Sequence, residues 1–138
     1  MQGDVLVIAE HWKGEPEGVT LQMLTKGREL ADTAGVRLAV LVLGHGLDDV
    51  VEVLREKGMD AIWVLDDPAL ARAGGGVEAH AIAEAVRAID PGLILIGYSL
   101  VGMELAPAIA VGLGVTAMTN CVDVGIEDGA VGVTRPFF

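Results

Sequence analysis

The sequence predicts an α/β domain of three layers, α/β/α, with a mainly parallel sheet and a β-hairpin at the end. Three observations predict it. Short, unbroken apolar runs alternate with amphipathic segments, and turns rich in Gly, Pro or Asp separate them. Hydrophobic residues make up 52% of the chain but aromatics only 4%, so the core has to be built from Val, Leu, Ile and Ala, the residues of buried parallel strands. Near the end, Asp128-Gly129 lies between alternating apolar residues, which is a hairpin signal.

The elements follow in order. Residues 5–9 are apolar throughout and read as the first, central strand; residues 10–18 are a polar loop. Thr20 can cap a helix reaching about Thr33, with Met23, Gly27, Leu30, Ala31 and Ala34 on one face. Gly27 weakens that helix by about 1 kcal/mol against alanine, and a close approach to the sheet would be reason enough for it. Gly35 ends the helix, residues 37–43 are the second strand, and Gly44-His45-Gly46 is its exit turn. Asp48 is the expected cap of a helix over residues 50–57, closed by Gly58. Residues 61–65 form the third strand, Asp66-Asp67-Pro68 turns the chain, and residues 73–76 read as a mobile connection. A helix over residues 77–89 places Ala81, Ala85 and Ile89 on one face, beside Ile82 and Val86, and Asp90-Pro91-Gly92 stops it.

The stretch from Pro91 to Val122 carries one formal charge, Glu104. Residues 93–96 read as a strand, 97–102 as a glycine-bearing loop, and the segment to Leu113 as a helix. A second apolar run from Val115 reads as a further parallel strand. Pro107 lacks an amide hydrogen and suits only a first turn, so this helix is expected to start near Glu104. The stretch is long enough to cross a membrane, but Pro107, the glycines and the high alanine content argue against a spanning helix. Residues 121–126 and 130–134 are the expected hairpin strands.

A chain of 138 residues fits one domain over residues 1–138. The net charge of −11 repels phosphate backbones and anionic lipid heads, which excludes nucleic acid and membrane surfaces as expected partners. The lone Cys121 cannot form an internal disulfide, which suits a reducing, cytoplasmic setting, and its apolar surroundings predict a buried, inert thiol.

Ligands of open α/β sheets bind outside the carboxyl ends of the strands, so the loops of interest are residues 10–18, 44–47, 66–76 and 97–103. Gly97, Ser99 and Gly102 could cradle a phosphate with amides near a helix start. Their loop lacks the Walker lysine and the dinucleotide spacing, and it misses the nucleophile-elbow pattern by one residue. A tight strand-to-helix turn is the plainer reading. Glu10 and His11 are adjacent and so point apart, with no partner carboxylate to make an acid–base pair. His45 and His80 stand alone, without metal-ligand spacing. Asp66-Asp67 reads as a capping turn rather than a magnesium site, and Gly74 to Gly76 as a joint rather than an anion nest. Arg135 suits a carboxylate or phosphate clamp and an interface ion pair equally. No catalytic residue and no metal site is expected.

Three segments carry a resemblance: Val5-Leu-Val-Ile-Ala-Glu-His11, Gly102-Met-Glu-Leu-Ala-Pro-Ala-Ile-Ala110 and Gly129-Ala-Val-Gly-Val-Thr-Arg-Pro-Phe-Phe138. In order and spacing they resemble the amino-terminal domain of the electron transfer flavoprotein alpha subunit, over essentially the whole chain. The family usually has arginine near Met103, aspartate near Glu104 and a basic residue near Ala108; this chain is less polar there. The resemblance implies a Rossmann-like fold of the adenine-nucleotide alpha-hydrolase type. It also implies pairing with a beta subunit and a non-catalytic part in moving electrons from flavin dehydrogenases. FAD would belong to the full complex, held mainly by a flavin-binding carboxyl-terminal domain following Phe138. No cofactor is expected on this chain, and no FAD-binding residue transfers to its positions. The apolar Phe137-Phe138 end would seat that neighbour. The alternative is an AMP- or ATP-binding module like the universal stress proteins. Gly102 and Gly112 keep one of that family's glycine spacings, but Ser99 stands where a glycine is expected and Leu113 where a hydroxyl residue is. A hydrolase or ligase of the same fold is the third reading, and it lacks a nucleophile–base pair.

Overall fold

The computed structural model describes residues 1–71 and 75–136. Strand β1 (Val5–Ile8) is followed by a short hairpin, β2 (His11–Trp12) and β3 (Glu15–Pro16), and then by α1 (Gly18–Ala34). The alternation continues through β4 (Leu38–Gly44), α2 (Asp48–Arg55), β5 (Ala61–Asp66) and a 3-10 turn at Pro68–Leu70. Next come α3 (Gly75–Ile89), β6 (Leu93–Leu95) and α4 (Leu100–Leu113), and an antiparallel hairpin, β7 (Asp123–Glu127) and β8 (Ala130–Thr134), closes the series.

All four residues of β1 are buried, so the strand can only lie mid-sheet under two layers of helix. It pairs in parallel with β4 on one side and β6 on the other, giving the order β5-β4-β1-β6. The period-2 alternation of side chains divides the core. Val5, Val7, Leu38, Val40 and Val42 face one cluster with Leu24 and Leu30 of α1 and Val50 and Leu54 of α2. Leu6, Ile8, Ala39 and Leu41 face the other, with Ile82 and Val86 of α3 and Leu105 and Ile109 of α4. Three layers follow, and the buried core is aliphatic as composition requires. Trp12 and Trp63 both lie at the surface.

Gly27 is where α1 meets the sheet: an added Cβ would lie 2.7 Å from Leu38 Cδ1 and 3.4 Å from Val7 Cγ2. Gly27→Ala sets a helix-propensity gain of about 1 kcal/mol against an overpacking cost of about 1–3 kcal/mol. The expected result is a lower urea midpoint with an unchanged slope.

Several expectations are corrected. Thr20 does not cap α1; it lies buried inside the helix, whose N-cap is Glu17, without a side-chain cap bond. Asp48 is the first residue of α2 and not its cap. Helix α3 begins at Gly75, so Gly75 and Gly76 are helical and not part of a connection; Ala73 and Gly74 lie outside the described residues. Its buried stripe runs through Ala79, Ile82, Ala83 and Val86, while Ala81, Ala85 and Ile89 are half-buried beside it.

Helix α4 starts at Leu100, and Pro107 lies inside it. Pro107 is exposed, so the Met103 carbonyl that loses its i+4 amide donor is on the outer side of the helix, where the loss costs least. Gly35 (φ 69°) closes α1 in the left-handed conformation, and Gly114 (φ 67°) is its counterpart at the end of α4. The run from Val115 forms no strand: residues 115–122 carry no regular structure, and Val115, Met118 and Val122 are exposed. An apolar run becomes a buried strand only where two layers cover it, and nothing among the described residues covers this one. Cys121, on the same run, is therefore half-exposed rather than buried.

The hairpin turn has positive φ at Asp128 (51°) and Gly129 (76°), the geometry that Asp-Gly supplies. The hairpin is fastened to α1 by a Lys26–Asp123 ion pair of 2.7 Å, and Val124 and Ile126 pack on the α1–α2 side of the core. Phe137 and Phe138 lie outside the described residues. Among those described, no helix is long and apolar enough to cross a membrane.

Candidate functional site

The chain leaves β1 for β4 and β5 on one side and returns to β6 on the other, so the strand order reverses between β1 and β6. The crevice beyond their carboxyl ends is where an open α/β sheet takes its ligand. The exits of these two strands carry Glu10 and the loop of Gly97, Ser99 and Gly102.

Glu10 is held by its main chain. Its amide donates to Thr20 Oγ1 at 2.7 Å, and its carbonyl accepts from that hydroxyl at 2.9 Å and from the Glu17 amide at 2.8 Å. This is the work Thr20 does in place of capping. From that fixed base the Glu10 side chain crosses to the β6 exit, where Oε1 accepts the Ser99 hydroxyl at 2.6 Å. Ser99 is the N-cap of α4: its Oγ accepts from the Gly102 amide at 3.0 Å, and its carbonyl accepts from the Met103 amide at 2.8 Å. Glu10 Oε2 is buried, with no hydrogen-bond partner among the described residues. A buried acceptor left unpaired costs about 1–3 kcal/mol, so the position has to be held by its surroundings. The two glycines give the turn its shape. A Cβ on Gly97 would run into the Val19 methyl groups, and one on Gly102 into the Gly97 carbonyl oxygen. The tight strand-to-helix turn is thus what the residues form.

His11 goes elsewhere. Its Nε2 donates to the Leu43 carbonyl at 2.9 Å, and its ring covers Gly44. Glu10 and His11 therefore diverge, and no acid–base pair forms. At the exits of β4 and β5, Asp66 accepts from the Gly46 amide at 2.9 Å and the Leu47 amide at 3.0 Å, so the end of a neighbouring strand fixes the turn that leads into α2, which itself has no side-chain cap bond. Asp67 caps the 3-10 turn through the Ala69 amide at 2.8 Å. Of the two carboxylates Asp67 is the capping group and Asp66 braces the β4–α2 turn, and among the described residues no cluster of His, Cys, Asp or Glu is arranged to hold a metal. His45 Nδ1 lies 3.4 Å from Asp66, and His80 and Arg135 are exposed.

Hydrogen bonding sets the acid behaviour. The Leu38 amide and then Arg28 depress the Asp60 carboxyl, the Leu47 and Gly46 amides depress Asp66, and Lys26 and the Val124 amide depress Asp123. Burial acts the other way on Glu78, raising it, with His11 opposing and Glu104 adding to the rise. A depressed folded value means that the contribution is complete above the ordinary value of 3.8 and is lost as pH falls through the folded one. Glu78 has the opposite sign and gains stability as it takes up a proton. With three depressed groups against one raised, stability is expected to fall on acidification below about pH 4. Asp66→Asn should flatten that fall in urea midpoints measured across pH.

The Glu10–Ser99 link was not visible in the sequence, because the partners are 89 positions apart. The available signal was that both residues lie at the carboxyl ends of predicted strands, of which the first was expected to be central.

Comparison with known proteins follows the same outline. The family described as electron transfer flavoprotein domain matches residues 5–138. Protein FixB of Clostridium saccharobutylicum is 34% identical over 136 residues, 97% of this chain and 40% of that protein. The electron transfer flavoprotein subunit alpha of Clostridium acetobutylicum is also 34% identical over 136 residues, again 97% of this chain and 40% of its own length. The acryloyl-CoA reductase electron transfer subunit beta of Anaerotignum propionicum is 28% identical over 124 residues, 90% of this chain and 34% of that protein. The chain spans 40% of the length of the first two relatives.

Proposed function

Because the chain belongs to the electron transfer flavoprotein domain family, we propose that it is the docking domain of an alpha-type subunit. In this reading it supports electron transfer from flavin dehydrogenases through a complex with a beta subunit, and it has no catalytic residues of its own. The observation that carries the proposal is the outer face of α4. The inner side of that helix packs Gly102, Leu105 and Ile109 into the core. The outer side, where a surface helix is ordinarily polar, presents Leu100 (86% exposed), Met103, Pro107, Ala108 and Val111 (84% exposed), with Glu104 its one charge. Val115, Met118 and Val122 extend the exposed apolar surface along the following segment. A surface poor in charge and rich in aliphatic and Met side chains has the composition of an interface core.

FAD fits this reading as a group of the full complex, carried by a part of the protein beyond this chain, whose relatives are more than twice as long. A cytoplasmic setting agrees with the half-exposed thiol of Cys121, which a reducing compartment would keep free. The test is to mix the chain with a beta subunit at micromolar concentration and follow size-exclusion chromatography. Co-migration is the expected result, and separate elution counts against docking.

A further inference from the structure

We propose that the switch-point crevice of this domain is occupied from within. The Glu10 carboxylate stands at the start of α4, where a sheet of this kind receives an anionic ligand, and Val19 fills the space against Gly97. The inference is independent of the docking face. It concerns the residues that the AMP- or ATP-binding alternative would need: Gly97, Ser99 and Gly102.

The start of a 14-residue helix such as α4 attracts negative charge, because its first amides lack partners within the helix and its dipole is positive there. A phosphate would be drawn to this point. The chain brings its own anion instead. Ser99 Oγ accepts from the Gly102 amide and donates its hydroxyl hydrogen bond to Glu10 Oε1, so the carboxylate is joined to the helix start through one side chain. The second oxygen, Oε2, is sealed from solvent without a hydrogen-bond partner among the described residues. The helix field compensates a charge held there, as it would a bound phosphate.

Entry is narrowed as well. Gly97 is buried beneath the Val19 methyl groups, and its carbonyl oxygen lies against the Gly102 Cα. A phosphate seeking the amides of this loop would come up against the Glu10 carboxylate, with Val19 narrowing the approach on the Gly97 side. Both obstacles are anchored: Val19 lies in the first turn of α1, and the Glu10 main chain is clamped by Thr20 and Glu17.

The test is anion rescue in the 138-residue chain. Thermal midpoints are measured for the unaltered protein, Glu10→Ala and Glu10→Gln, with formate or inorganic phosphate exchanged for chloride at constant ionic strength. Isothermal calorimetry with phosphate and with AMP runs alongside. The unaltered protein should show no site-specific response. Glu10→Ala should melt lower, recover part of the loss in formate or phosphate, and bind phosphate at least about tenfold more tightly than the unaltered protein. Glu10→Gln keeps an acceptor for Ser99 but removes the charge, and it should show the same response more weakly. If Glu10→Ala fails to fold, Glu10→Gln decides the comparison. One-to-one binding of AMP or phosphate by the unaltered protein would overturn the proposal. So would a variant whose response to anions equals that of the unaltered protein.

Discussion

Gly102→Ala is expected to lower the thermal midpoint by about 10 °C, from a loss of about 3 kcal/mol. Alanine ordinarily strengthens a helix by about 1 kcal/mol over glycine, so the sign is the informative part. The added Cβ meets the Gly97 carbonyl oxygen, a backbone atom, and lies 3.1 Å from Ile96 Cγ2. Gly97 cannot retreat, because Val19 is already against it. The Ser99 cap and the Glu10 contact depend on the same turn, so the strain spreads to the start of α4 and to the β1 exit. Gly112→Ala on the same helix is the control. Its nearest neighbour would be Ala83 Cβ at 3.5 Å, an ordinary contact, so this change should stabilise by up to about 1 kcal/mol. Circular dichroism melts of the pair check both signs, and a Gly102→Ala midpoint at or above that of the unaltered protein would contradict the account.

The double substitution Leu100→Asp with Val111→Asp is expected to weaken association with the beta subunit by at least about 100-fold, since central apolar residues of an interface are worth about 2 kcal/mol or more each. The two positions are 11 apart, close to three helical turns, and so share the outer face of α4. Both side chains are largely exposed, so the fold should move by no more than about 0.5 kcal/mol. Binding and stability therefore separate cleanly. Glu52→Lys, exposed on α2 across the sheet, should leave binding unchanged. Undiminished affinity in the double variant would remove α4 from the interface.

The legible parts of the fold were those that local chemistry decides. The unbroken apolar residues of β1 and β4 have no arrangement open to them except a covered parallel sheet. Asp128-Gly129 supplies the two positive φ angles of its turn, and Gly27 marks a close packing contact. The errors share a different cause. Reading Val115 onward as a strand assumed that the chain covers its own apolar residues, and this surface is left open. Placing the start of α4 near Glu104 treated the missing amide of Pro107 as decisive, although on an exposed face the orphaned carbonyl costs little. Thr20 and Asp48 stand at positions that suit caps, whereas Thr20 bonds Glu10 and the α2 start has no side-chain cap, its lead-in turn being held by Asp66. The candidate site was half legible. The rule for open α/β sheets pointed to both loops, but the reach of one carboxylate from the first loop to the second depends on the fold and on a partner 89 positions away.

The surface location of both indoles decides how this protein can be watched. Trp12 is 67% exposed, with the Lys13 ammonium 5.7 Å from its ring centre, and Trp63 is 40% exposed on an edge strand. Their emission will start red-shifted and change little on denaturation. A soluble quencher will already reach Trp12 in the native protein, so melting has to be followed through the backbone signal instead.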